Sequence, residues 1–181
     1  QMELANDLGI WITLHMAKQD GCGDKENLKN LEEFTTKKYP KIKWILAHVA
    51  RSFTYRPIEK AIDTLKNLPN IWYDLSAVTD VRPFITLFKN EDHKRIFYGT
   101  DGIESASFHG AYTAYGHFHY QIETDKVESL NFSHTSNRPI ISLYEQLISI
   151  KQASIICEMN NTQIEDIFWR NAVREFNIPW K

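Results

Sequence analysis

Short apolar segments alternate along this chain with stretches whose apolar side chains recur at helical spacing. The apolar segments cover 10–15 (IWITLH), 43–48 (KWILAH), 70–76 (NIWYDLS) and 95–101 (RIFYGTD). Because they are short and rich in β-branched and aromatic residues, they are predicted to be strands. The intervening helices are predicted at 25–38, 58–68 and 80–90. The resulting β-α-β-α-β-α-β order, with short connections, indicates an α/β fold built on a parallel sheet or barrel.

The regular alternation stops after the fourth predicted strand. Residues 102–138 are rich in His, Tyr, Ser and Gly, and long connections of this kind often act as lids in compact domains. Within them, the partial alternation of 119–133 is compatible with a small hairpin or an irregular excursion. Helices are predicted at 139–157 and 162–176, the second beginning with a capping box at Thr162–Glu165. The whole chain is interpreted as one domain.

Each predicted strand ends at a polar residue that can carry chemistry. These residues are His15, His48, Asp74 with Ser76, and Asp101. In parallel barrels the carboxyl ends of the strands meet at one face, where the active site lies. Histidine nitrogens and carboxylate oxygens ligate divalent ions and also move protons. The pattern therefore predicts a metal-dependent enzyme.

The three residues with the clearest position each have more than one interpretation. His15 is either a metal ligand or a buried imidazole bonded to a carbonyl. His48 is a ligand, a proton shuttle or an electrostatic partner of developing charge. Asp101 follows Gly99 by two residues and is a ligand or a base, the alternative being a turn or helix-cap carboxylate. The functional interpretation is favoured because the other strand ends converge on the same face.

Other polar residues near the strand ends carry weaker signals. Arg51, three residues after His48, is predicted either to bind a substrate carboxylate or to form a surface salt bridge. Asp74 shares a strand face with Ser76 and is either a catalytic or a buried hydrogen-bonding residue. The imidazoles of the long connection are expected to be solvent-exposed rather than metal-bound. They are His109, His117, His119 and His134.

Composition excludes several classes of function. The 181-residue chain has a net charge of −2 and no basic block, so nucleic acid is not an expected partner. Its apolar runs are too short to span a bilayer, and the amino terminus lacks a signal-peptide pattern, so no membrane partner is expected. Cys22 and Cys157 belong to no metal or redox motif and are expected to be free thiols. A cytoplasmic protein that acts on a small-molecule substrate fits best.

The strand motifs, taken together, resemble the amidohydrolase superfamily, in particular its branch of amidohydrolase-related TIM-barrel hydrolases and decarboxylases. The matching pieces are GIWITLH, YPKIKWILAHVARSF, NIWYDLSA, RIFYGTD and the tail IFWRNAVREFNI, which cover most of 3–101 and 162–178. The resemblance implies that the four strands are strands five to eight of a (β/α) barrel. Residues 1–181 are then a single domain, the carboxyl-terminal half of such a barrel, with a long insertion after the last strand.

The resemblance also implies roles for the strand-end residues. His15 corresponds to the strand-five metal ligand, and His48 to the strand-six histidine, which is a ligand or a catalytic residue. Asp101 corresponds to the strand-eight aspartate, which binds the metal or serves as base. The implied activity is a divalent-metal hydrolase of C–N or C–O bonds, with a non-oxidative decarboxylase as the alternative. Zinc is the default metal, and manganese or another divalent ion is compatible with nitrogen and oxygen ligands.

The chain departs from the family pattern in one respect. The HxH metal motif of strand one does not occur before His15, and a complete barrel has roughly 250 residues. Because a half barrel leaves open sheet edges, the chain is expected to form a homo-oligomer or to associate with a missing half. An inactive half barrel that acts as an assembly module is the rival hypothesis. A flavodoxin-like open sheet ranks lower, since no glycine-rich phosphate loop follows strand one.

Overall fold

The computed structural model describes residues 1–18, 20–102, 109–116, 118–123 and 141–180. The helices are α1 (Met2–Leu8), α2 (Lys25–Glu32, continued by a π-helical turn at Glu33–Lys38), α3 (Tyr55–Leu65), α4 (Val81–Asn90), α5 (Ser142–Ile156), α6 (Asn161–Glu165, continued by a π-helical turn at Asp166–Arg170) and α7 (Asn171–Glu175). The strands are β1 (Trp11–Leu14), β2 (Lys43–Leu46), β3 (Ile71–Asp74), β4 (Ile96–Phe97), β5 (His109–Tyr115) and β6 (Phe118–Glu123).

The first four strands form a parallel sheet in the order β1-β2-β3-β4. Each strand pairs with the next along the chain. In the register of the first two pairs, Trp11 of β1 lies opposite Lys43 of β2, and Trp44 of β2 lies opposite Ile71 of β3. A helix connects β1 to β2, β2 to β3 and β3 to β4. This sequential parallel order confirms the predicted α/β class and is compatible with part of a TIM-type barrel.

The helices cover one face of this sheet because each carries a single apolar stripe. Helix α3 buries Ile58, Ala61, Ile62 and Leu65, and α4 buries Phe84 and Leu87. From the sheet, the fully buried side chains that join them are Leu46, Ile71, Tyr73 and Ile96. Apolar burial of this extent stabilises the fold and holds the strand ends in fixed positions.

The opposite face of the sheet carries an aromatic cluster near the amino ends of the strands. The Trp11 ring lies 4.7 Å from Trp72 and 5.0 Å from Phe176, centroid to centroid, in edge-to-face geometry. Lys43 Nζ lies 4.8 Å from the Trp11 ring centroid and 3.3 Å from Glu175 Oε2. The end of α7 therefore closes the base of this face through aromatic, cation–π and ionic contacts.

Two local expectations are corrected or refined by the structure. The capping box of α6 is formed by Asn160 and Gln163 rather than at Thr162–Glu165, because each side chain accepts a hydrogen bond from the other's backbone N–H. A hairpin is present, since β5 and β6 pair antiparallel, but it covers 109–123 and shares only 119–123 with the stretch for which a hairpin is one of two alternatives. Residues 124–133 of that prediction lie outside the described residues. No helix in the described ranges has the length and apolar character needed to cross a membrane.

Candidate active site

The polar strand-end residues lie together at the carboxyl edge of the parallel sheet. His15 directly follows β1, His48 lies two residues after β2, Asp74 ends β3, and Asp101 lies four residues after β4. The rings of His15 and His48 have centroids 5.2 Å apart at an angle of 74°. His48 Nε2 lies 4.0 Å from Asp101 Oδ2. The convergence predicted from the sequence is therefore present for these three side chains.

His48 is placed by an unusual left-handed turn of the backbone. Residues 48–51 have positive φ angles of 58°, 52°, 55° and 60°, and none is glycine. Each such residue costs about 1–2 kcal/mol relative to a right-handed conformation. Ser52 N donates to His48 O at 2.8 Å and closes the turn. Strain of this kind persists only where surrounding contacts enforce it, and it is concentrated at functional sites.

The loop around Gly21 supports this turn from behind. A Cβ atom at Gly21 would lie 2.6 Å from Arg51 O and 3.0 Å from Ala50 O. Gly21 itself has a φ of +49°, so two left-handed backbones pack against each other. Only glycine permits this close approach, so the contact holds the backbone of residues 50 and 51 in place.

The buried His48 ring is held on its Nδ1 side by β3 and the residues that follow it. Nδ1 lies 3.0 Å from the Ser76 backbone O and 2.9 Å from Ser76 Oγ. Phe53 stacks on the ring at a centroid distance of 5.4 Å. The His48 side chain is only 7% exposed, and its Nε2 atom faces Asp101. These contacts hold the ring with Nδ1 toward Ser76 and Nε2 toward Asp101.

Asp74 is the acceptor at the centre of a hydrogen-bond network below His48. Its Oδ1 accepts from Ser76 N at 2.8 Å, and its Oδ2 accepts from Ser76 Oγ at 2.5 Å. Burial raises the pKa of Asp74, and the two hydrogen bonds from Ser76 oppose that rise. Of the two interpretations of Asp74, the structure shows the hydrogen-bonding one directly.

Two residues that the sequence did not single out complete this network. A Cβ at Gly99 would lie 2.5 Å from Asp74 Oδ1, so a side chain there would displace the carboxylate. Gln146 of α5, 1% exposed, donates from Nε2 to Leu75 O and Gly99 O, both at 2.8 Å. Gln146 thus joins the ends of β3 and β4. No local signal marks it, because its partners are distant in sequence.

His15 is exposed, unlike His48, which excludes the interpretation of a buried, carbonyl-bonded imidazole. The pKa of His15 is lowered, first by partial burial and then by repulsion from His48 and Arg51, while Asp101 acts in the opposite direction. These effects favour the neutral imidazole, which is the form that ligates metals.

Arg51 points back toward the end of β1. Its Nη1 donates to Met16 O at 2.9 Å. Its Nε atom is buried without a hydrogen-bond partner among the described residues. The guanidinium is thereby held at the end of β1, and its charge helps to lower the pKa of His15.

A cavity of about 290 Å³ adjoins His15. Its walls are mostly apolar and include Leu14, Met16, Leu31 and Trp44. A largely apolar cavity beside a few polar groups is the usual form of a small-molecule site.

The donor set fits a divalent ion in kind. The 4.0 Å between His48 Nε2 and Asp101 Oδ2 is too long for a hydrogen bond, yet no longer than two coordinate bonds of about 2.0–2.2 Å. Metal-binding histidines typically anchor their other nitrogen on a carbonyl, as His48 Nδ1 does on Ser76 O. Across the part of the chain that the structure describes, however, no cluster of three His, Cys, Asp or Glu residues could hold an ion by itself. A complete site requires closer approach of His15 or a further ligand.

The imidazoles of the long connection stay predictions only. His117 and His134 lie outside the described residues, and the side chains of His109 and His119 lie outside them as well. Their expected exposure is therefore not tested.

Comparison with known proteins adds one positive finding. A family model described as "Amidohydrolase" matches residues 2–178, nearly the whole chain, including all four strand ends. Neither the search of curated proteins nor the search of solved structures returns a significant match.

Proposed function

Because this chain belongs to the amidohydrolase superfamily, we propose that it is a metal-dependent hydrolase of C–N or C–O bonds. The family is generally enzymatic, which supports a hydrolase- or lyase-type function, and its members commonly use divalent metals. The main support for this proposal is the distance of 4.0 Å between His48 Nε2 and Asp101 Oδ2, while Nδ1 of the same ring already bonds to Ser76.

We also propose where this chain fits in a complete barrel. The four parallel strands serve as strands five to eight of a (β/α) barrel, with residues 1–181 as one domain corresponding to its carboxyl-terminal half. The sequential order of the sheet and its helix connections support this assignment. The free thiols of Cys22 and Cys157 support a cytoplasmic location.

His15, His48 and Asp101 are the proposed ligands. A divalent ion held there would supply the Lewis acidity that activates water toward a scissile carbonyl. Asp101, whose side chain is 46% exposed, accepts a proton at its carboxylate. His48 holds a proton at Nδ1 and presents Nε2 to the reacting groups. Zinc is the first choice of metal, and manganese or another divalent ion suits the same nitrogen and oxygen donors.

Arg51 is the proposed substrate-binding residue. Its positive charge, close enough to His15 to lower the pKa of that imidazole, suits a substrate carboxylate. This same observation favours a second candidate within the family, a non-oxidative decarboxylase. Product analysis with lactones and with aromatic carboxylates separates the two, because only the second reaction releases carbon dioxide.

A third proposal concerns partners. Within the described residues, β1 and β4 are the edges of the parallel sheet. Exposed edges favour association, so we propose that the chain forms a homo-oligomer or joins a complementary half barrel, in the extreme case as an inactive assembly module. A monodisperse monomer by light scattering at all concentrations would contradict self-association.

The decisive experiment is metal analysis of the purified chain by plasma mass spectrometry. The unaltered protein is expected to hold metal in near-stoichiometric amount, and both His15→Ala and Asp101→Asn are expected to lose it. Asp63→Asn, which alters an exposed carboxylate paired with Lys66, is the matched control and should retain metal. Absence of metal in the unaltered chain, or retention by both site variants, would contradict the proposed site.

A further inference from the structure

We propose that Asp74 and Ser76 act as positioning residues that fix the tautomer of His48, so that its Nε2 lone pair always faces the gap to Asp101. The inference rests on the proposed function for the use of that lone pair. Its evidence, however, is the hydrogen-bond geometry below the ring, which exists independently of any ligand.

The serine hydroxyl has one proton, and that proton is already committed. Ser76 Oγ donates to Asp74 Oδ2, as the second of two hydrogen bonds that the carboxylate receives from Ser76. Toward His48, Ser76 Oγ can therefore only accept. The 2.9 Å contact between Ser76 Oγ and His48 Nδ1 then requires a proton on Nδ1.

The backbone enforces the same choice. The Ser76 carbonyl oxygen lies 3.0 Å from Nδ1 and can only accept a hydrogen bond. Two acceptors thus face Nδ1, and an unprotonated Nδ1 would place its lone pair against both. A neutral His48 must carry its proton on Nδ1, which leaves Nε2 unprotonated on the side of Asp101.

The remainder of the network holds the carboxylate in this role. The absence of a side chain at Gly99 leaves room for Asp74 Oδ1, which a Cβ would approach to 2.5 Å. Gln146 binds the carbonyls on either side of the carboxylate, at Leu75 and Gly99. The Asp74–Ser76–His48 relay is therefore built from the ends of β2 and β3 and is supported by Gly99 after β4 and by Gln146 of helix α5.

The direct test is the tautomer of His48, read by two-bond proton–nitrogen correlation NMR on metal-free, ¹⁵N-histidine-labelled protein at about pH 8.5, two units above the ordinary histidine pKa. The His48 signals are assigned by their loss in His48→Gln. The expected result is protonated Nδ1 and unprotonated Nε2. The opposite tautomer in the unaltered protein would overturn the relay, whatever the variants show.

Variants test the role of each relay member. Asp74→Asn presents an amide N–H to Ser76 Oγ, which frees the hydroxyl proton to point at Nδ1, and is expected to give a mixed or reversed tautomer. Ser76→Thr keeps the hydroxyl and is expected to preserve the original tautomer. Ser149→Ala removes a buried hydroxyl that donates to Thr79 O, away from His48, and is the matched control. An unchanged tautomer in a folded Asp74→Asn protein would overturn the role of Asp74.

Zinc affinity, measured by competition with a chromophoric chelator, connects the relay to the proposed function. Asp74→Asn is expected to weaken zinc binding about 10–100-fold, as is typical when the outer partner of a histidine ligand is lost. Ser76→Thr and Ser149→Ala are expected to bind zinc like the unaltered protein. Protonated Nδ1 without zinc binding would contradict the proposed function alone, whereas zinc binding with protonated Nε2 would contradict the relay alone.

Discussion

At the amino end of the parallel sheet, polar side chains bind the backbone carbonyls of the entering loops, whereas at the carboxyl end Asp74, Ser76 and His48 also bind one another. Arg95 donates to Ile71 O at 2.7 Å and to Leu68 O at 2.5 Å. Asn70 donates to the carbonyls of Thr35 and Ile42 at 2.8 and 2.9 Å. These bonds satisfy backbone carbonyls of the loops that enter the strands.

The carboxyl end of the same strands is arranged differently. There, four consecutive residues with left-handed backbone angles follow β2, and His48 Nε2 lies 4.0 Å from Asp101 Oδ2. This difference leads us to expect different consequences from substitutions at the two ends of the sheet. Changes at the amino end should therefore affect mainly the free energy of unfolding, whereas changes at the carboxyl end should affect both stability, through the strained turn, and the proposed ligand binding.

The largest expected effect on stability comes from Arg95. In Arg95→Met the carbonyls of Ile71 and Leu68 lose their donor, and the carboxyl group of Glu91, only 3% exposed, loses its ion-pair partner at 3.0 Å. Leaving a buried charge without its partner typically costs about 3–5 kcal/mol, so we expect a loss of that size in the free energy of unfolding, to be measured by urea denaturation. Lys66→Met removes an exposed cation paired with Asp63 and should change stability by less than about 1 kcal/mol. Equal effects of both substitutions would contradict the structural role of Arg95.

The next effect concerns the support of the left-handed turn. Gly21→Ala places a methyl group 2.6 Å from Arg51 O at a φ of +49° and should destabilise the fold by about 2–4 kcal/mol. Gly102→Ala introduces a side chain at a φ of +84° with no atom of the described residues within 4 Å, so only about 1 kcal/mol of backbone strain is expected. Thermal unfolding of both variants gives the comparison. A smaller loss for Gly21→Ala than for Gly102→Ala would show that the turn is not held from behind.

Alkaline pH should lower the free energy of unfolding because Cys22 is a buried thiol. Burial raises the pKa of the Cys22 thiol to about 12, whereas the thiol of the unfolded chain ionises near its ordinary value of 9.0. Between these values the folded state keeps a proton that the unfolded state has lost, so stability falls as pH rises, by about 1.4 kcal/mol per pH unit from this group. Below pH 9 the group has no effect.

Cys22→Ala isolates this effect. The substitution should reduce the loss of stability between pH 9 and pH 11 relative to the unaltered protein, as measured by urea midpoints at each pH. Cys157, the other free thiol, is more exposed, and Cys157→Ala is the matched control with a smaller expected change. Identical pH profiles for Cys22→Ala and the unaltered protein would contradict the burial of an un-ionised thiol behind the turn.

The smallest effect is the most specific one. Ala50 is fully buried at a φ of 55°, and Ala50→Gly relieves left-handed strain while it removes a buried methyl group. The two contributions nearly cancel, so stability should change by less than about 0.5 kcal/mol. Ala61 is equally buried but lies in helix α3, where Ala61→Gly should cost about 1.5–2 kcal/mol. Chemical denaturation that gives equal losses for the two alanines would contradict the left-handed turn.

Local patterns in the sequence determined the framework of the protein. Alternating apolar strands and amphipathic helices predicted the parallel α/β order, because burial of one apolar face depends on residue spacing rather than on distant partners. The polar residues that end the strands predicted the convergence of His15, His48 and Asp101, since parallel strands must present their carboxyl ends at one edge.

Only the tertiary structure decided how that edge is built. A run of His, Val, Ala and Arg carries no signal for a left-handed turn, because each residue alone prefers other conformations, and long-range contacts from Gly21 and Ser76 are needed to hold it. Gln146 and Gly99 gain their roles only when α5 and β4 bring them beside Asp74. The sequence thus determined which chemistry meets at the sheet edge, while packing between distant segments determined the orientation of each imidazole.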